Sequence, residues 1–183
     1  QAVAFVDIAW GGRSVRIEIT VNVAQDGSAA FSLDATIAGV NAAAWRGRYQ
    51  PEGTRRERAA QDLTAFFGSV ELGKDAGALV VREVDDVEQP FGLSAKGKAP
   101  IYGRREGDTV SMPTASSLSL MTSVAALSAR KTDLVLGAQS LSSEERVLTF
   151  PAGATIVRSP AATKIESPFG SAIVEVKRES GRL

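Results

Sequence analysis

The chain has 183 residues, with 21 basic and 21 acidic side chains, no histidine and no cysteine. At 44% hydrophobic and 23% charged it has the composition of a folded chain, one long enough to bury about 70% of its unfolded surface. Without cysteine there is no thiol nucleophile, disulfide or thiolate metal site, and without histidine no imidazole base, Ser-His-Asp triad or histidine-ligated zinc. Catalysis would then fall to carboxylate pairs, a Ser-Lys dyad or oxygen-ligated metals. A net charge of zero removes the simplest case for a nucleic-acid or anionic-membrane partner.

Gln1 opens directly into strand-like sequence with no signal peptide, as expected of a processed or excised piece. Next, Val15, Ile17, Ile19, Val21 and Val23 alternate with polar residues, the period of a half-buried strand. Ala29, Phe31, Leu33, Ala35 and Ile37 repeat that pattern. Asp26-Gly27 between them predicts a tight turn, and so a hairpin. One apolar face per strand demands a covering layer.

That cover is expected to be helical. Residues 40–48 predict a helical turn with Val40, Ala44 and Trp45 along one side, ending before Pro51. Thr54 and Glu57 have the spacing of a capping box, followed by Ala59, Leu63, Phe66 and Phe67 on one face and a stop at Gly68. Apolar runs at 79–81, 91–95 and 109–112 predict further strands. Leu118, Met121, Val124 and Leu127 make a serine-rich helical stripe. Four short strands are predicted after it, at 133–136, 146–150, 154–157 and 171–178. The uncharged run 109–129 is long enough to span a bilayer, but ten of its 21 residues are Ser, Thr or Pro, so no transmembrane segment is expected.

The chemical motifs are incomplete. Gly92 to Lys98 approaches a phosphate-binding loop, yet Ala99 replaces the magnesium-binding hydroxyl and Pro100 stands where a helix should start. A lysine-bearing strand or loop is expected instead. Ser128 and Lys131 have Ser-x-x-Lys spacing, but the companion motifs of penicillin-recognising enzymes are absent. Glu83, Asp85, Asp86 and Glu88 lack the central glycine and ligand number of a calcium loop, and read as a solvated segment. No catalytic, cofactor-binding or metal-binding residue is therefore assigned, no cofactor is expected, and the chain reads as a non-enzyme. Arg46, Arg48, Arg55 and Arg56 crowd together with Trp45 and Tyr49, and these six are the candidate partner-binding residues. Interleaved Glu52, Glu57 and Asp62 weigh against nucleic acid and leave a polyanion or a protein as the partner.

The second half carries a resemblance in its order of motifs. Arg130, then Leu134-Val135-Leu136-Gly137, Glu144-Glu145-Arg146, Leu148-Thr149-Phe150-Pro151-Ala152-Gly153 and Ile165-Glu166-Ser167-Pro168-Phe169-Gly170 follow one another. This resembles the C-terminal region of bacterial transglutaminase-like proteins, domains of unknown function that flank a papain-like core. Ala42 to Arg46 and the 55–67 helix resemble the segment after that core. The resemblance implies an upstream Cys-His-Asp core outside this chain, a neighbouring transglutaminase-like domain as partner, and a periplasmic or cell-envelope location. No catalytic residue carries over.

The expected fold is α+β, mainly antiparallel β, with β-sandwich-like sheets and one or two packed helices. It forms one accessory domain over 1–183 or two lobes divided near 113–131. The expected role is a noncatalytic accessory domain that supports the transglutaminase-like core or binds an envelope protein. The alternative is a module binding cell-wall glycan or peptide, with Trp10, Trp45, Tyr49 and Tyr102 as its aromatic candidates.

Overall fold

The computed structural model describes residues 2–3, 14–113, 140–167 and 170–178. Its core is the expected hairpin. Strand β2 (Ser14–Val23) and strand β3 (Ala29–Ile37) pair antiparallel from Val15↔Ile37 to Val23↔Ala29. Asp26 accepts hydrogen bonds from the Ser28 amide and hydroxyl, and Gly27 takes φ +87°, a conformation costly to any side chain. The alternation lands as predicted, with Ile17, Ile19, Val21 and Val23 buried beside Ala29, Phe31, Leu33, Ala35 and Ile37.

Around this hairpin a seven-stranded sheet assembles in the order β1-β9-β2-β3-β6-β4, with β5 also on β6. The added strands are β1 (Ala2–Val3), β4 (Glu71–Leu72), β5 (Leu79–Arg82), β6 (Phe91–Ala99) and β9 (Leu141–Thr149). Most pairings are antiparallel; β2 and β9 run parallel. Two ribbons stand apart from the sheet's ladders: β7 (Arg104–Glu106) with β8 (Thr109–Ser111), and β10 (Thr163–Ser167) with β11 (Gly170–Val174). The fold is α+β with a sheet-dominated core, as the sequence predicts.

Helices α1 (Val40–Tyr49) and α2 (Arg55–Phe67) supply buried residues to that core. Phe67 stacks on Phe31 with ring centroids 4.1 Å apart. Phe31 pairs across the ladder with Gly97, where an added Cβ would strike the Glu71 carbonyl and approach the Phe31 ring. A large residue opposite a small one thus lets the sheet fill without a void. The other sheet face stays polar, with Arg16, Glu18, Thr20 and Asn22 exposed on β2. Arg82 lies across it, pairing with Asp34 at 3.1 Å and holding β5 to the sheet.

Several expectations need correction. The buried side of α1 is Ala42, Arg46 and Tyr49, while Val40 and Ala44 are exposed, because Tyr49 packs on Phe91 and Arg46 reaches the 83–89 loop. Thr54 makes no capping bond. It ends a 3₁₀ turn, Glu52–Thr54, so its hydroxyl donates to the Pro51 carbonyl and accepts from Arg58 Nε. Residues 154–157 form no strand among the described residues, whereas Thr163–Ser167, outside the four predicted strands, forms β10 against β11. Strand β9 starts at Leu141, five residues earlier than predicted, and β11 ends at Val174 rather than 178. The near-phosphate-loop segment is most of β6, an interior strand. Trp10, the 118–127 stripe, Ser128, Lys131 and the 133–136 strand lie outside the described residues. No helix among the described residues is long and apolar enough to cross a membrane.

Candidate functional site

The six candidate partner-binding residues converge on the α1–α2 corner, but most of their donors are already engaged. Arg46 is buried and donates Nε to the Glu83 carbonyl at 3.0 Å and Nη2 to that of Gln89. Arg48 pairs with Asp62, which also accepts the Tyr49 hydroxyl at 2.8 Å. Arg55 Nε donates to the Tyr49 carbonyl at 2.6 Å, and Arg56 Nη2 to that of Gly73. Trp45 is half-buried, stacked beside Tyr49 and tilted against Phe91. These arginines therefore staple helices and loops together. Each donates to main-chain carbonyls or to a carboxylate of a neighbouring helix or loop.

Tyr49 and Tyr102 are both buried, so neither offers a ring face to a glycan. Burial pushes the Tyr49 phenol well above the ordinary tyrosine range, aided by its hydrogen bond to Asp62. Burial also raises Tyr102, against the nearby positive charge of Arg146. A phenol with a raised folded value keeps its proton while the unfolded chain loses it above about pH 10. The tyrosine contribution to stability is therefore present below that pH and falls as pH rises toward the folded values. These are the chain's only two tyrosines. Absorbance at 295 nm should show less tyrosinate near pH 10 in the folded protein than in the urea-unfolded chain at the same pH, with the remainder appearing on alkaline unfolding. Independent ionisation of either near pH 10, with the fold intact, would overturn this.

On β9, Glu144, Arg146 and Leu148 pair with Ile17, Ile19 and Val21 and share their buried face. Arg146 Nη2 meets Glu144 Oε1 at 2.9 Å, with both side chains under one-tenth exposed. Its Nη1 reaches the Pro113 carbonyl at 3.3 Å and the Tyr102 hydroxyl at 3.5 Å, while buried Nε has no acceptor among the described residues. Nothing in the Glu144-Glu145-Arg146 run by itself marks a charged pair on the buried face of a core strand. Among the described residues no cluster of carboxylates could hold a metal ion, and Glu83, Asp85, Asp86 and Glu88 sit on an exposed loop.

A groove of about 770 Å³ opens where β2 and β9 end. One wall is β8 with Met112, another is the irregular segment 154–160, and Leu148 and Phe150 form part of the floor. Two glycines place the β7–β8 ribbon there. The Gly103 amide donates to the Gly27 carbonyl at 2.8 Å, and a Cβ on Gly103 would lie 2.5 Å from the Val110 side chain. Ile156 and Val176 pack on the core margin, and Arg178 donates to the Ser159 hydroxyl. That bond closes the base of the segment carrying the β10–β11 ribbon. No signal in the sequence joins residues 23–25, 105–112 and 148–160 into one site. No family model, curated protein or solved structure matches the chain.

Proposed function

We propose that the chain is a noncatalytic accessory domain that works by contact with another polypeptide. The neighbour is a transglutaminase-like domain of the same protein, or failing that an envelope protein, in the periplasm or cell envelope. The observation that carries this reading is the β10–β11 ribbon. Pairing of Thr163 with Val174 and Ile165 with Ala172 puts these four residues on one face. Ile165 is 60% exposed and Val174 46%, while the Lys164–Glu166 ion pair occupies the opposite face. An isolated two-stranded ribbon is marginally stable in water and needs a third strand or a packed layer on its apolar face. A partner surface would supply that layer.

The engaged arginines and buried aromatics of the α1–α2 corner leave the ribbon as the better contact point. Hydrogen exchange at residues 163–174 tests the reading, comparing the isolated chain with the polypeptide recovered intact from its cells. Ribbon amides should exchange at least about tenfold more slowly in the native form. Equal, fast exchange in both would sink the proposal, as would substrate turnover by the isolated chain.

A further inference from the structure

We infer that the groove between β8 and residues 154–160 takes an extended, acidic segment of a partner polypeptide, added as a strand beside β8. This rests on the polypeptide-binding role proposed above and gives its partner a chemistry.

Strand β8 pairs with β7 on one side, through Arg105↔Val110 and its neighbours, and has no second strand among the described residues. Across the groove, residues 154–160 belong to no strand among the described residues, and the Ala154 amide donates to the Pro151 carbonyl. A strand paired on one side only is the template on which extended peptides add as strands. The volume lies within the usual range for a bound ligand, roughly 300–1,000 Å³. Val110, Met112, Phe150 and Ile156 are half-buried and offer apolar seats for alternate side chains.

Charge selects the occupant. Arg105 and Arg158 line the groove and Arg178 stands at its edge through Ser159. Arg105 donates to the Gly107 and Gln25 carbonyls and lies near Asp26, whereas Arg158 is exposed and has no ion pair among the described residues. Asp108 is the only carboxylate lining the groove. Asp26, nearby, is turned into its own turn by two bonds from Ser28. Guanidinium groups in excess at the rim favour a strand bearing aspartate or glutamate, both in encounter and in register.

The test uses a displayed library of random eight-residue peptides selected on the whole chain, with winners resynthesised and measured by fluorescence anisotropy. Enriched peptides should carry acidic residues, bind more weakly as salt rises, and slow amide exchange at 109–111 and 154–160. Arg158→Glu, at an exposed position, should weaken them about tenfold, and Val110→Lys should abolish binding with the fold checked by circular dichroism. Arg16→Glu, on the open sheet face, should leave binding unchanged. No enrichment, enrichment of neutral or basic peptides, or binding indifferent to Arg158→Glu overturns the inference. Exchange protection of residues 163–174 in the native polypeptide is read separately, so a silent groove beside a protected ribbon rejects the groove alone.

Discussion

Replacing Glu144 by leucine is expected to lower the unfolding free energy by about 3–5 kcal/mol. Arg146 then keeps a buried guanidinium whose Nε has no acceptor among the described residues, where the longer contacts to Pro113 and Tyr102 remain. The cost is mainly that of a stranded charge, so removing the charge should return much of it. The double variant Glu144→Leu/Arg146→Met should be more stable than Glu144→Leu alone, since apolar side chains of similar volume commonly replace a buried pair at little loss. Urea midpoints of the wild type, both single variants and the double variant give the coupling directly. A loss below about 1 kcal/mol in Glu144→Leu would mean that water or main chain already compensates the guanidinium. The pair sits on the parallel strand of the sheet, where a one-residue slip would turn both charges to the polar face. The sequence neighbours Ser143 and Glu145 already occupy that face, so hydrophobic patterning alone would not hold the register.

What was legible in the residues was local. Strands β2 and β3 announce themselves because each buries one face, and a period of two survives in the letters; Asp26-Gly27 marks their turn for the same local reason. Helix α2 is legible through Ala59, Leu63 and Phe67, which recur at helical spacing. Helix α1 is legible as an element over 40–48 but its buried face is not, because that face includes Arg46, a residue that ordinarily faces water. Its burial depends on carbonyls 37 and 43 residues away, and no local pattern encodes those. The candidate site divides in the same way. Clustered arginines are visible as a cluster, whereas their engagement by Asp62, Tyr49 and Gly73 is a property of packing. Strand β10 escaped because Thr163-Lys164-Ile165-Glu166 is mostly polar, and only its pairing with β11 makes it a strand. The groove draws its walls from distant segments brought together by the Gly27–Gly103 contact, so its existence is a consequence of topology.

Phe67→Ala is expected to cost about 3–5 kcal/mol, the range for truncating a buried aromatic in a packed core. The ring lies between layers, stacked on Phe31 at 4.1 Å and tilted against Phe66 and Tyr102 at 6.2 and 6.1 Å. Phe31 sits on an interior strand laddered to β2 and β6, so its backbone cannot follow the vacancy far. The cavity should therefore stay open, and urea should unfold the variant at a lower midpoint with an unchanged slope. Phe67→Leu retains most of the volume and should lose less than half as much. The damage should also travel. Tyr102 borders the lost ring and precedes Gly103, whose amide anchors the β7–β8 ribbon to the β2–β3 turn. Amides of 104–111 should accordingly exchange faster in Phe67→Ala, under conditions where β2 and β3 remain protected. Uniformly faster exchange across both regions would place the ribbon in the same cooperative unit as the sheet. The groove would then open only when the whole domain does, and a peptide seated in it would raise the stability of the entire fold.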